Sequence, residues 1–215
     1  MLVIKERYMP VISYRLGPME NNTYLIVDAK TNEAALVDPS YDSETLWPEI
    51  QQQGYTIRYI LNTHAHFDHI LGNAFYVAQT QAPLALHRAD LYLLRALPEQ
   101  CQMYGAEPTT SPDPTLFLED GQSLTLGEST IRVLHTPGHS PGGVTFLIED
   151  SAIVGDCLFA GSIGRYDLPG ASQQTLMDSL YRLLTLPDET KVLPGHGEAT
   201  TIGTERATNR YLQEP

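Results

Sequence analysis

Between residues 11 and 37 the chain alternates short apolar stretches (11–14, 23–27 and 34–37) with the turn-formers Gly17-Pro18 and Asn21-Asn22, a pattern that predicts a β-meander. Tyr8, Tyr14 and Tyr24 fit such a sheet better than a pocket. The period then changes. Leu46, Trp47 and Ile50 predict a helix over 43–53 that stops at Gly54, with Pro48 expected to kink it or shift its start. Residues 57–61 read as a buried strand, 62–68 as a strand-to-helix loop, and Ile70, Leu71, Ala74, Phe75 and Ala78 as a helical stripe. Further on, the pattern predicts a short strand at 84–86, a helix over 89–97 and a Pro-rich loop through Pro114. Strands at 123–126, 130–134, 144–148 and 152–154, a helix over 173–184, a strand at 191–193 and a terminal helix over 203–212 follow. Strands in two runs with interspersed helices predict an α/β (α+β, four-layer) architecture: an αβ/βα sandwich of two mixed β-sheets with helices on the outer faces.

At 215 residues, with no internal repeat and no low-complexity linker, the chain is expected to form a single domain over 1–215. A formal charge of −13 would repel nucleic acid and anionic membranes, so neither is an expected partner. The apolar run 1–4 is broken by Lys5, Glu6 and Arg7, short of the roughly 7 to 15 apolar residues of an export signal, and no run approaches the ~18 of a membrane span. A cytoplasmic protein is expected. Cys101 and Cys157 lack C-x-x-C spacing, which argues against a disulfide framework or a thiolate zinc site.

The densest chemistry lies in Thr63-His64-Ala65-His66-Phe67-Asp68-His69, where three of the chain's 7 His and one carboxylate crowd together as a strand ends. Imidazole and carboxylate are the donors that zinc, manganese and iron accept. In an extended segment positions i and i+2 point the same way, so His64 and His66 can grip one ion, while Asp68 and His69 open the next helix and face a neighbouring point. Four donors in two pairs suggest two ions close together. Three later residues share the context of a strand end beside Gly: His139 in Thr136-Pro137-Gly138-His139, Asp156 after Gly155, and His196 in Pro194-Gly195-His196-Gly197.

This order, H-x-H-x-D-H, then T-P-G-H, then G-D, then G-H-G, resembles the metallo-β-lactamase superfamily. The resemblance implies that His64, His66 and His139 hold one metal ion, that Asp68, His69 and His196 hold the other, and that Asp156 bridges them. Within the superfamily, Gly155-Asp156-Cys157-Leu158-Phe159 followed by Gly161-Ser162-Ile163-Gly164-Arg165 looks like the glyoxalase II (hydroxyacylglutathione hydrolase) group. There a basic residue at the place of Arg165 meets glutathione. Only 19 residues follow His196 (215 − 196), so much of the thiol-binding surface of the two-domain members is expected to be missing. A surface ion pair of Arg165 with Asp167 is the competing reading of that residue.

The implied reaction is metal-dependent hydrolysis of a small-molecule thioester, S-lactoylglutathione or a similar hydroxyacyl-glutathione. The cofactors would be two divalent metal ions, zinc first, with iron or manganese as alternatives, and Asp68 would accept a proton. Arg165-Tyr166-Asp167-Leu168-Pro169-Gly170 also resembles the G-R-x-D pattern of short, single-domain glyoxalase II-like proteins and of persulfide dioxygenases, which use one iron. The alternative is therefore a mononuclear iron enzyme on His64, His139 and Asp156. A β-lactamase is disfavoured by the missing export signal, and a nuclease by the charge. Asp38 could orient a metal-bound imidazole or be a plain turn residue. His87 and His135 read as structural, and Cys157 as a buried thiol rather than a ligand.

Overall fold

A computed structural model describes residues 9–213. Tyr8 and the apolar run 1–4 lie outside the described residues. The first sheet has the order β1 (Val11–Leu16), β2 (Asn21–Val27), β3 (Glu33–Val37), β4 (Thr56–Leu61), β5 (Leu84–His87) and β6 (Leu116–Leu118). Its first three strands form the expected antiparallel meander, and β3 to β6 are parallel. The second sheet contains β7 (Ser123–Leu126), β8 (Ser129–His135), β9 (Val144–Ile148), β10 (Ser151–Gly155), β13 (Lys191–Pro194) and β14 (Thr200–Thr201). It is antiparallel except where β10 pairs with β13. A two-stranded hairpin, β11 (Leu158–Phe159) with β12 (Ser162–Ile163), stands apart.

Strand alternation explains the layering. Tyr24 and Ile26 of β2, with Ala35 and Val37 of β3, face inward onto Ile131 and Val133 of β8, Phe146 of β9 and Ile153 of β10. Their neighbours Leu25, Val27, Ala34 and Leu36 face outward, onto Ile50 of α1 (Trp47–Gln52), Ile70 of α2 (Phe67–Ile70) and Tyr76 of α3 (Asn73–Thr80). Leu93 of α4 (Leu91–Arg95) and Leu97 of α5 (Leu97–Tyr104) join that layer. On the far side Leu134, Ala152 and Val154 pack against Leu176, Leu180 and Leu183 of α6 (Gln173–Leu183) and Ile202 of α7 (Ile202–Thr208). Three apolar layers thus separate helices, sheet, sheet and helices, the predicted αβ/βα sandwich. Among the described residues no helix is long and apolar enough to cross a membrane.

Several local expectations change. Pro48 does not kink a helix but occupies the first turn of α1, where its missing N–H costs nothing, after a 3₁₀ turn at Ser43–Leu46. Pro98 plays the same part in α5, so the segment expected as loop is a helix as far as Gly105, whose φ of 72° ends it. The helix expected over 89–97 is instead a 3₁₀ turn at Arg88–Asp90 followed by α4. The terminal helix stops at Thr208 because Asn209 is extended.

The topology delivers the polar loops to one edge. Strands β3, β4 and β5 are parallel to one another, as are β8, β10 and β13 within their sheet. Asp38, His64, Asp90, His139, Asp156 and His196 all follow the C-terminal ends of these strands, the usual place for a ligand site in such sheets.

Candidate metal centre

The loop between β4 and α2 is held by alternate residues. The Thr63 amide and hydroxyl donate to Asp38 at 2.7 and 2.6 Å, the Ala65 amide to Asp90 at 3.1 Å, and the Phe67 amide to Gln100 at 3.1 Å. The intervening residues, His64, His66 and Asp68, are therefore free to project together, as the i, i+2 phase predicts. Asp90 is fully buried and also accepts from the Ser140 hydroxyl at 2.7 Å and the Gly142 amide at 2.5 Å. One carboxylate so ties the His64–His66 segment to the loop that carries His139.

Four imidazoles are oriented through Nδ1. His69 donates to Asp38 at 3.0 Å, His139 to the Arg165 carbonyl at 2.9 Å, His196 to the Met19 carbonyl at 3.0 Å, and His64 lies 3.1 Å from the Thr63 hydroxyl. Each acceptor selects the tautomer whose Nε2 lone pair faces the centre. His66 presents Nδ1 instead, 2.9 Å from His139 Nε2.

The donor atoms form two groups. Those of His64, His66 and His139 lie within 4.8 Å of one another, as do those of Asp68, His69 and His196. Asp156 stands between them, its Oδ2 3.6 Å from His139 and 3.7 Å from His196, and its Oδ1 3.4 Å from His69. Asp38 is also close to His64 and His69, but its oxygens are taken by Thr63 and His69, so it orients donors from behind. That answers the choice the sequence left open. It holds this place with a left-handed φ of 49°, directly before Pro39, a conformation that costs a non-Gly residue energy. Gly195 is required by close approach, since a Cβ there would strike Asp156 Oδ1 and His69.

The donor chemistry fits a divalent cation. His64 Nε2, His69 Nε2 and Asp156 Oδ1 are buried without a hydrogen-bond partner and converge on the same space, an arrangement costing about 1–3 kcal/mol per atom unless something fills it. Nitrogen and carboxylate oxygen without thiolate suit borderline ions. Burial, then the neighbouring imidazoles, pushes His64 well below the usual histidine range, and burial with His139 pushes His66 down to about 4, so both are neutral donors. At His69 burial opposes protonation, but Asp68, Asp156 and Asp38 outweigh it and raise the ring to about 10. Asp68 is lowered despite its burial, by His69 and by hydrogen bonds from His196 and Asn21. Without an ion, a proton on His69 offsets the surrounding carboxylates, and a cation would replace it.

All seven residues singled out as ligands are thus brought together. Arg165 reaches the rim, 62% exposed, with its guanidinium on both oxygens of Asp167 at 2.9 and 3.0 Å. His87 and His135 lie apart from the centre and stack on each other, centroids 4.0 Å apart. Cys157 is buried and its thiol pushed up to about 12, by burial and then by Asp156. Sequence reasoning missed Asn21, Asp90 and Gln100. Asn21, taken for a turn-former, is the first residue of β2, fully buried, and donates to Asp68 Oδ2 at 2.9 Å.

Comparison with known proteins accords with this geometry. The chain is 37% identical over 214 residues to the probable metallo-hydrolase YqgX of Bacillus subtilis, covering 97% of this chain and 98% of that one. It is 36% identical over 200 residues to the hydroxyacylglutathione hydrolase GloC of Haemophilus influenzae, covering 90% and 93%. The crystal structure of TTHA1623 in a di-iron-bound form superposes with a TM-score of 0.86 at 41% identity, over 94% of this chain and 100% of that chain. A model of the metallo-beta-lactamase superfamily matches residues 16–196, from the end of β1 to the last of the seven donors, and the chain belongs to that superfamily.

Proposed function

We propose that the chain is a dinuclear metal-dependent thioester hydrolase, in which His64, His66 and His139 hold one divalent ion, Asp68, His69 and His196 the other, and Asp156 both. The observation that carries this reading is the placement of Asp156, within 3.4–3.7 Å of donors from both groups and with one oxygen unpartnered. A single-iron persulfide dioxygenase on His64, His139 and Asp156 would leave Asp68, His69 and His196 without a task.

Two such ions, when bound, would lower the pKa of a shared water from about 15.7 to about 7 and polarise a carbonyl oxygen. The chain's own residues do the rest. Asp38 and the carbonyls of Arg165 and Met19 keep imidazole protons on the far side of the rings. Asn21 donates to Asp68 Oδ2 and fixes this carboxylate, which would take the proton of the attacking water. The water oxygen bonds to the acyl carbon, and the C–S bond breaks with its electron pair on sulfur. A thiolate needs little protonation, which suits a site with no evident general acid. On the thiol side Arg165 can exchange Asp167 for a substrate carboxylate, because an exposed pair of this kind is worth only about 0–1 kcal/mol.

The relative named as a hydroxyacylglutathione hydrolase supports glutathione thioesters as the first substrates to assay. Protein of known metal content should hydrolyse S-lactoylglutathione without consuming oxygen. Oxygen uptake with glutathione persulfide, and no thioester turnover, would overturn the reading.

A further inference from the structure

His66, Asp68, His139, Asp156 and His196 form one wall of a cavity of about 210 Å³. The other walls are largely apolar and consist mainly of Met19, Phe67, Leu93, Met103, Tyr104 and Leu168, with Arg165 as their one basic residue. Met19, Met103 and Tyr104 are exposed by 42%, 75% and 50%. One exposed apolar side chain needs no explanation, but three converging beside a polar centre do. The wall is also firmly attached. Phe67 and Tyr104 stack with centroids 4.7 Å apart and planes 6° apart. Gln100 of α5 accepts from the Phe67 amide and donates to the Ala65 and Leu93 carbonyls, so the helix carrying Met103 and Tyr104 is clamped to the donor loop.

A second, wider trough of about 440 Å³ flanks the same centre, lined by Phe159, Ser162, Arg165 and Glu198 as well as His139, Asp156 and His196. Chemistry decides which part of a thioester goes where. The carboxylates and amides of a tripeptide thiol need polar partners; Arg165 borders both hollows, but Ser162 and Glu198 line only the trough, while the smaller cavity is largely apolar. The thiol side belongs in the trough.

We propose that the smaller cavity receives the acyl group of the substrate and that this group is apolar and uncharged, a short aliphatic or aromatic chain, in preference to a 2-hydroxyacyl group. The assignment rests on the thioester reading above. A hydroxyl gains no partner from Met19, Leu93, Met103 and Leu168, the amide of Gln100 is already spent on the backbone, and the guanidinium of Arg165 is on Asp167. Methylenes gain at the same wall, and methionine adapts to chains of different shape.

The test compares kcat/KM of the metal-loaded protein for glutathione thioesters that differ only in the acyl group: lactoyl, acetyl, butanoyl and hexanoyl. Each added methylene should raise kcat/KM by up to about fourfold until the cavity is full, placing hexanoyl at least about tenfold above lactoyl. Calorimetry provides a readout independent of turnover: S-hexylglutathione should bind at least about tenfold more tightly than S-(2-hydroxypropyl)glutathione. Met103→Glu, at a position exposed enough to leave packing intact, should shrink both preferences below about threefold. Lactoyl turned over as well as hexanoyl, with equal binding of the two thioethers, would overturn the apolar assignment and leave the thioester reading standing. Absence of turnover with every thioester would remove the thioester reading, and the acyl assignment with it.

Discussion

Asp28 and Asp156 lie at opposite ends of the sandwich, and their surroundings differ in kind. Asp28 follows β2, is fully buried, and accepts from the amides of Lys30, Thr31 and Glu128 and the hydroxyls of Thr31 and Ser129, at 2.7–3.1 Å. It links the β2–β3 turn to the β7–β8 turn, and every donor is an amide or hydroxyl at one of these two turns. Asp156 also joins elements of the two sheets, yet one of its oxygens has no partner and its neighbours are imidazoles from three loops. A saturated carboxylate is a fastener. An unsaturated one among converging imidazoles is a donor that a cation would satisfy.

The comparison can be broken first by paired substitutions. Asp156→Asn should lower thioester turnover by at least about a thousandfold and weaken both ions, since a neutral amide cannot supply the bridging charge. His87→Gln, in the stacked pair away from the centre, should leave metal content unchanged. Asp28→Ala should do the reverse of Asp156→Asn, keeping the metal content while destabilising the fold. Stripping several buried donors of their acceptor costs about 3 kcal/mol, or on the order of 10 °C in Tm for a chain of this size. Equal metal loss in Asp156→Asn and Asp28→Ala would erase the distinction between the two ends.

A smaller effect is expected at the rim. Arg165→Met should raise KM for a glutathione thioester by roughly tenfold, as for loss of one charge-assisted contact, with the metals in place. A small thioester without carboxylates should be little affected, so equal losses on both would assign Arg165 to the fold.

The two ends should also respond oppositely to pH. At Asp28 burial raises the pKa, but the hydrogen bonds from Ser129, Thr31 and Lys30 outweigh it and lower the value. Its contribution to stability is therefore present above the unfolded pKa of about 3.9 and lost as pH falls through the folded one. His69 in the ion-free protein is raised to about 10, so its contribution is full below about 6.5 and lost between there and about 10. Ion-free protein should thus lose several degrees of Tm on going from pH 6.5 to 10, a loss absent from His69→Gln, while Asp28→Ala should lack part of the acid transition. Metal affinity should rise over the same alkaline interval, because binding displaces the His69 proton, and chelator competition at two pH values measures this.

The donors were legible because their chemistry is local. His64, His66, Asp68 and His69 fall within one loop, and His139, Asp156 and His196 each follow a strand beside a glycine. What supports them was not, because the partners are distant: Asn21 meets Asp68 across 47 positions, Asp90 meets Ala65 across 25 and Gln100 meets Ala65 across 35. Nothing in an isolated Asn or Gln announces such a contact. The two sheets followed from strands falling in two runs, whereas β6, β11, β12 and β14 are too short for a period of two to register. Helix α5 was hidden because the segment after 97 reads as a Pro-rich loop, although Pro98 opens the helix, and that helix carries part of the apolar wall.

The central claim, that two donor groups share Asp156, is tested most directly by counting ions. Protein stripped of metal and reconstituted separately with zinc, manganese and iron should carry two ions per chain by elemental analysis with at least one of these metals, falling toward zero in Asp156→Asn. One ion per chain with all three metals would contradict the dinuclear account.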